Sequence, residues 1–198
     1  MNEGARLGAE AARLLPRRGS IEVLPGLSDA EFARVEAEFG FEFSDDHRAF
    51  LAAGLPTGRA SAPGGRQSWP DWRGGDPDEL RERLAWPTDG VLFDVERGGF
   101  WWEDWGVRPP VLADALSVAR ARLAEVPTMV PVYSHRFLPA GRGAYGHPVL
   151  SMYQTDIIVY GDDLVDYVHH EFGGLRSDRP VVAGDLEATV PFWRDLVS

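Results

Sequence analysis

The chain contains no cysteine and no lysine. Without cysteine there can be no disulfide and no thiolate metal site, so stability has to come from packing. Without lysine, all 20 basic residues are arginine, and 31 acidic residues leave a formal net charge of -11. A field of that sign repels polyanions, which argues against nucleic acid and steers basic partners inward. No stretch approaches the roughly 18 apolar residues of a membrane span. The opening segment, MNEGARLGAEAARLLPRRG, lacks the apolar run of a secretory leader. The expectation is a soluble cytoplasmic protein with no membrane contact.

What is present suffices for one core. At 198 residues and 44% hydrophobic, the length and composition suit a single compact domain. Ser28 and Glu31 form a capping box, Leu27 and Phe32 can close a hydrophobic staple, and Phe32, Val35 and Phe39 line one helical face before Gly40. A second short helix is predicted over Ser44 to Ala53. Residues 55–75 are rich in Gly, Pro, Ser and Arg and read as an exposed loop carrying Trp69 and Trp72. Asp76, Pro77 and Glu79 start another helix that should reach about Leu84, with Asp89 and Gly90 breaking the chain beyond it. Val91 to Glu96 and Phe100 to Trp102 then read as a hairpin, and Leu112 to Val126 as a helix. Short strands follow at Met129 to Tyr133, Arg136 to Leu138, Val149 to Gln154 and Asp156 to Tyr160. A helix from about Asp163 to Phe172, ended by Gly173 and Gly174, precedes a tail that regains order near Pro191 to Leu196. Helices first, strands in the middle and a helix last favour α+β over a doubly wound sheet.

The densest aromatic stretch is WPTDGVLFDVERGGFWWEDWGVRP, residues 86–109, which holds four of the seven tryptophans. Rings in such number build a core corner or a recognition face. Together with IEVLPGLSDAEFARVEAEFGFEF, WPDWRGG, PVYSHRFLP and PVLSMYQTDIIVYG, this block resembles the SUKH superfamily, which includes the fungal SMI/KNR cell-wall regulators and many bacterial proteins encoded beside toxins. The best-matching positions are Trp105-Gly106, Arg108-Pro109, His135-Arg136 and the Asp156 to Gly161 strand end, all of them fold markers. The resemblance covers residues 21–172 and leaves 1–20 and 173–198 as extensions. It implies an α+β domain with a central bent, mostly antiparallel sheet flanked by helices. It also implies no enzymatic activity and no cofactor, and a role as an immunity protein that binds a cognate toxin. A regulatory or scaffold protein binding several cellular partners is the alternative.

Three constellations could carry chemistry. Gly141, Gly143 and Gly146 spell GxGxxG, but a strand follows where a dinucleotide site needs a helix. Asp166 and His170 share a helical face at a spacing suited to a metal pair, although a solvated face is the simpler reading and a third ligand is missing. Ser134, His135 and Asp156 have the residue types of a hydrolase, but no nucleophile elbow occurs and neighbours on a strand point to opposite faces. A structural pairing of His135 or Arg136 with Asp156 across neighbouring strands is expected instead. The best contact candidate is the loop bearing Trp69, Asp71, Trp72 and Arg73, because Trp and Arg are enriched at binding hot spots, unless that loop folds back as a lid over the sheet. With charge -11, the expected partner is a protein, such as a basic toxin of nuclease type.

Overall fold

The computed structural model describes residues 2–15, 21–58, 68–173 and 189–198. Residues 59–67 of the expected loop, together with Gly174 and the tail up to residue 188, lie outside the described residues. The architecture is α+β, with six α-helices and two antiparallel sheets, of two and four strands, among the described residues.

Helix α1 (Glu3–Leu14) starts at Asn2, whose side chain accepts from Ala5 N at 2.8 Å and donates to Asp45 at 2.9 Å. It packs along α3 (Asp45–Ala53) and against α6 (Leu164–Phe172). The approach to α3 is close because α1 presents glycines: a Cβ on Gly8 would stand 2.1 Å from the Asp46 carbonyl oxygen. Helix α2 (Asp29–Phe39) carries the predicted capping box from Ser28 and ends at Gly40, whose φ of 72° is left-handed. Strands β1 (Ile21–Leu24) and β2 (Leu55–Gly58) pair antiparallel across the α2–α3 unit.

The four-stranded sheet is a simple meander of β3 (Met129–Tyr133), β4 (Arg136–Pro139), β5 (Val149–Tyr153) and β6 (Asp156–Gly161), the four short strands expected from the sequence. Irregular register at Pro131/Tyr133 and Val149/Leu150 marks bulges, which bend strands. Alternation divides its side chains between two cores. Val130, Val132, Leu138 and Val149 face a cluster built from α1, α2, α3 and α6. Met129, Phe137, Leu150, Met152 and Ile157 face a second cluster containing Trp105, Trp193, Val91 of α4 (Pro77–Phe93) and Leu123 of α5 (Leu112–Leu123). With helices over both faces, the sheet is a shared wall. Val197 adds a parallel bridge to Ile157, so the end of the chain lies along β6.

Helix α4 departs from the sequence reading. No hairpin forms over residues 91–102: α4 continues through Pro87 and Gly90 to Phe93, then widens into a π-turn over Asp94–Gly98. The local penalties of proline and glycine are offset by contacts that local pattern cannot reveal. The Asp94 carboxylate accepts from Thr155 N at 2.9 Å and from its hydroxyl at 2.6 Å, and Trp86 donates its indole N–H to the Met152 carbonyl at 3.2 Å. Gly90, which reads as a breaker, is a contact point: a Cβ there would stand 2.8 Å from Gln154 Cα. The β5–β6 turn, with Gln154 at φ 58°, is thereby seated on the helix.

Candidate functional site

The two tryptophans of the expected contact loop lie inside the protein, with Asp71 and Arg73 half-buried between and beside them. Trp69 is 2% exposed and Trp72 1%. Trp69 stacks on Phe172 with ring centres 5.1 Å apart and meets Tyr133 edge-on, whereas Trp72 meets Phe39, Phe41 and Phe43 edge-on. Asp71 accepts from the backbone N–H of Arg73 and Gly74, closing a tight turn. Arg73 reaches back to Glu31 and to the Pro25 and Gly26 carbonyls. The segment fills a hole in the first core, which corrects the expectation of exposed rings there. Its rings are held by aromatic neighbours gathered from α2, residues 41–43 and α6.

The remaining candidates separate. Ser134 and His135 do come together, contrary to the opposite-face argument, because both sit in the β3–β4 turn, where Ser134 has φ 49°. Its hydroxyl lies 3.2 Å from His135 Nδ1, but its N–H is already donated to the Ser68 carbonyl at 2.6 Å. Asp156 is exposed and makes no bond to either residue among the described contacts. The predicted pairing of Arg136 or His135 with Asp156 fails on register: Arg136 lies level with Ser151 and Ile158, whereas Asp156 lies opposite Tyr153 at the β5–β6 turn. Arg136 instead donates to the Ser151 hydroxyl at 3.1 Å and lies 3.7 Å over the Tyr160 ring. Asp166 and His170 form the predicted i, i+4 pair at 3.3 Å, and no cluster of three or more metal-ligating side chains occurs among the described residues. The glycine-rich connector binds carboxylates of its own chain: Gly143 and Gly146 donate to Asp45 and Asp46.

The structure does assemble a groove where α4 meets the two sheet turns. Along α4, Glu82, Trp86, Asp89 and Phe93 follow one another at spacings of four, three and four, which places them on one outward stripe. The seating of the β5–β6 turn against Gly90 puts Tyr153 beside this stripe, its ring centre 6.4 Å from that of Trp86. Both rings remain at the surface, Trp86 39% and Tyr153 57% exposed, with Phe93 at 48%. Two hollows flank the pair. One of about 330 Å³ is lined by Ser68, Ser134, His135, Phe137 and Arg83, the other of about 350 Å³ by Glu82, Asp89, Gly90, Phe93 and Gln154. Burial and the neighbouring Arg136 hold His135 below the usual histidine range, so this side chain is neutral at neutral pH.

Sequence reasoning missed this site because it stopped α4 near Leu84. The signal was available in the spacing of Trp86, Asp89 and Phe93, but only to a reader who carried the helix through Pro87. No helix among the described residues is long and apolar enough to cross a membrane. The chain matches no family model, no curated protein and no solved structure.

Proposed function

We propose that this chain is a non-enzymatic, cytoplasmic protein-binding domain, an immunity protein that binds and neutralises a cognate bacterial toxin through the α4 groove. The observation that carries the binding half is the Trp86–Tyr153 pair, left at the surface between two hollows of a protein with charge -11. Large rings next to sockets are the usual anchors of protein interfaces, and truncating such an anchor typically costs at least about 2 kcal/mol of binding. The immunity half rests on the SUKH-like motif order, and the acidic balance favours a basic toxin such as a nuclease.

The test is co-purification of the tagged full chain with a toxin domain encoded beside its gene, together with protection of cells expressing that toxin. The expected result is a stoichiometric complex that protects cells and is weakened roughly 30-fold or more by Trp86→Ala. A chain that retains no toxin domain and leaves cells unprotected overturns the immunity reading. Recovery of several unrelated partners would move the assignment to a regulatory scaffold.

A further inference from the structure

The two hollows differ in chemistry although they share Trp86 and Tyr153 as a common wall. One has carboxylates at its rim: Glu82 and Asp89 stand one turn before and one turn after Trp86 on the same face of α4. Asp89 has no ion-pair partner among the described residues. Its floor is the close contact of Gly90 with Gln154, and its far wall is the exposed Phe93 ring. No carboxylate lines the other hollow among the described residues. Phe137, Trp86 and Tyr153 make its walls largely apolar, and Arg83, the cation that lines it among the described residues, is paired with Glu79 at 2.8 Å.

We infer that the groove receives an arginine and an adjacent apolar side chain from one extended segment of a protein partner, the guanidinium in the hollow rimmed by Glu82 and Asp89 and the apolar group in the hollow floored by Phe137. This deepens the protein-binding reading and rests on it. A cation over an indole or phenol ring is attracted by the ring's negative face, and carboxylates on both sides strengthen the attraction. Guanidinium fits better than ammonium because it is planar, more weakly hydrated, stacks on rings and pairs with carboxylates through two parallel bonds. The apolar hollow then sets direction, since only one of the two sockets compensates a charge. Neighbouring side chains of an extended segment point to opposite sides, so a segment running along the Trp86–Tyr153 ridge can place one in each socket. Three large rings exposed on one face give such a segment apolar area to cover.

The experiment uses the full chain and a blocked peptide of alternating arginine and leucine, compared with its lysine and citrulline analogues; citrulline keeps the shape of arginine without the charge. The reporter is the Trp86 indole N–H resonance, which the bond to the Met152 carbonyl makes a local probe. The arginine peptide is expected to shift that resonance and to bind at least tenfold tighter than the citrulline peptide and several-fold tighter than the lysine peptide. Joint Glu82→Gln and Asp89→Asn should remove most of the preference for arginine, whereas Glu103→Gln with Asp104→Asn, an equal charge change elsewhere on the surface, should not. Equal binding of the arginine and citrulline peptides, an equal loss from the distant pair, or no shift of Trp86 overturns the inference. A lysine peptide as tight as the arginine peptide overturns the guanidinium assignment. Tyr153→Ser, at a more exposed position, repeats the test should Trp86→Ala fail to fold. A partner complex that survives Glu82→Gln/Asp89→Asn but is lost in Tyr153→Ser defeats the arginine socket and leaves the binding face standing. A complex indifferent to both defeats the binding face as well.

Discussion

His47 lies in the first turn of α3, sealed from water, with its ring edge-on to Phe43 at 5.2 Å and its Nδ1 without a hydrogen-bond partner. Burial pulls this imidazole from 6.5 down to about 3, so the folded protein holds it neutral. A depressed folded value gives stability that is complete above pH 6.5 and lost as pH falls toward 3. Linkage puts the loss at roughly 4 kcal/mol by about pH 3.5. Glu31 acts in a lower window: hydrogen bonds from Arg73 and Ser28 hold its carboxyl at about 2 instead of 4.5, so its contribution fades between those values. Urea midpoints measured against pH should separate the two. His47→Leu is expected to flatten the curve between pH 6.5 and 4.5, and Glu31→Gln only below 4.5; a His47→Leu variant with the parental slope would mean that water reaches the ring. Trp72→Ala should cost about 3–5 kcal/mol in the same assay, as for a core ring. A loss below about 1 kcal/mol would return Trp72 to the surface. The sequence could not reveal its burial, because the Gly/Pro context around Trp69 and Trp72 is local, whereas the rings that enclose them arrive from residues 39–43 and 172.

Where an element's own residues carried the signal, its extent was legible. Ser28 and Glu31 mark the start of α2, and the short apolar runs at 129–133 and 149–153 mark two strands. Helix α4 was cut short because Pro87 and Gly90 weaken a helix locally, and the contacts with Met152, Gln154 and Thr155 that sustain it lie some 65 positions away. With it went the groove, whose geometry depends on that continuation. Gly90→Ala tests the point sharply. In an exposed helix this change raises stability by up to about 1 kcal/mol, but here the new methyl presses on the Gln154 backbone, so a loss of about 1–3 kcal/mol is expected. Thermal unfolding gives the sign directly, and a higher midpoint would show that α4 does not bear on the turn. The Trp86 indole resonance should move in the same variant, since the contact that aligns Tyr153 with it is disturbed.

Across the whole molecule, the order of elements was enough to place the chain in α+β with one domain, while the ends were harder to read. Residues 1–20 and 173–198 look like extensions by motif. Yet α1 packs on α3 and α6, and Trp193 is 1% exposed with its indole donating to the Pro127 carbonyl at 2.7 Å. Glycines in α1 that appear merely permissive in sequence are points of close approach. Charge acts at this scale too. With -11 distributed over the surface, association with a basic partner should slow by an order of magnitude or more between roughly 0.05 and 0.5 M salt, as stopped-flow would record. Rates insensitive to salt would count against a basic partner. The docking of α1 on α6 also has a kinetic meaning. Two of the meander's three connections are the two-residue turns 134–135 and 154–155, which form quickly, while α1 completes its seat only on a helix about 150 positions along the chain. Folding should therefore nucleate in the meander, with α1 closing last onto α3 and α6 together, so that Gly8→Ala, which presses on α3, accelerates unfolding while leaving the refolding rate nearly untouched.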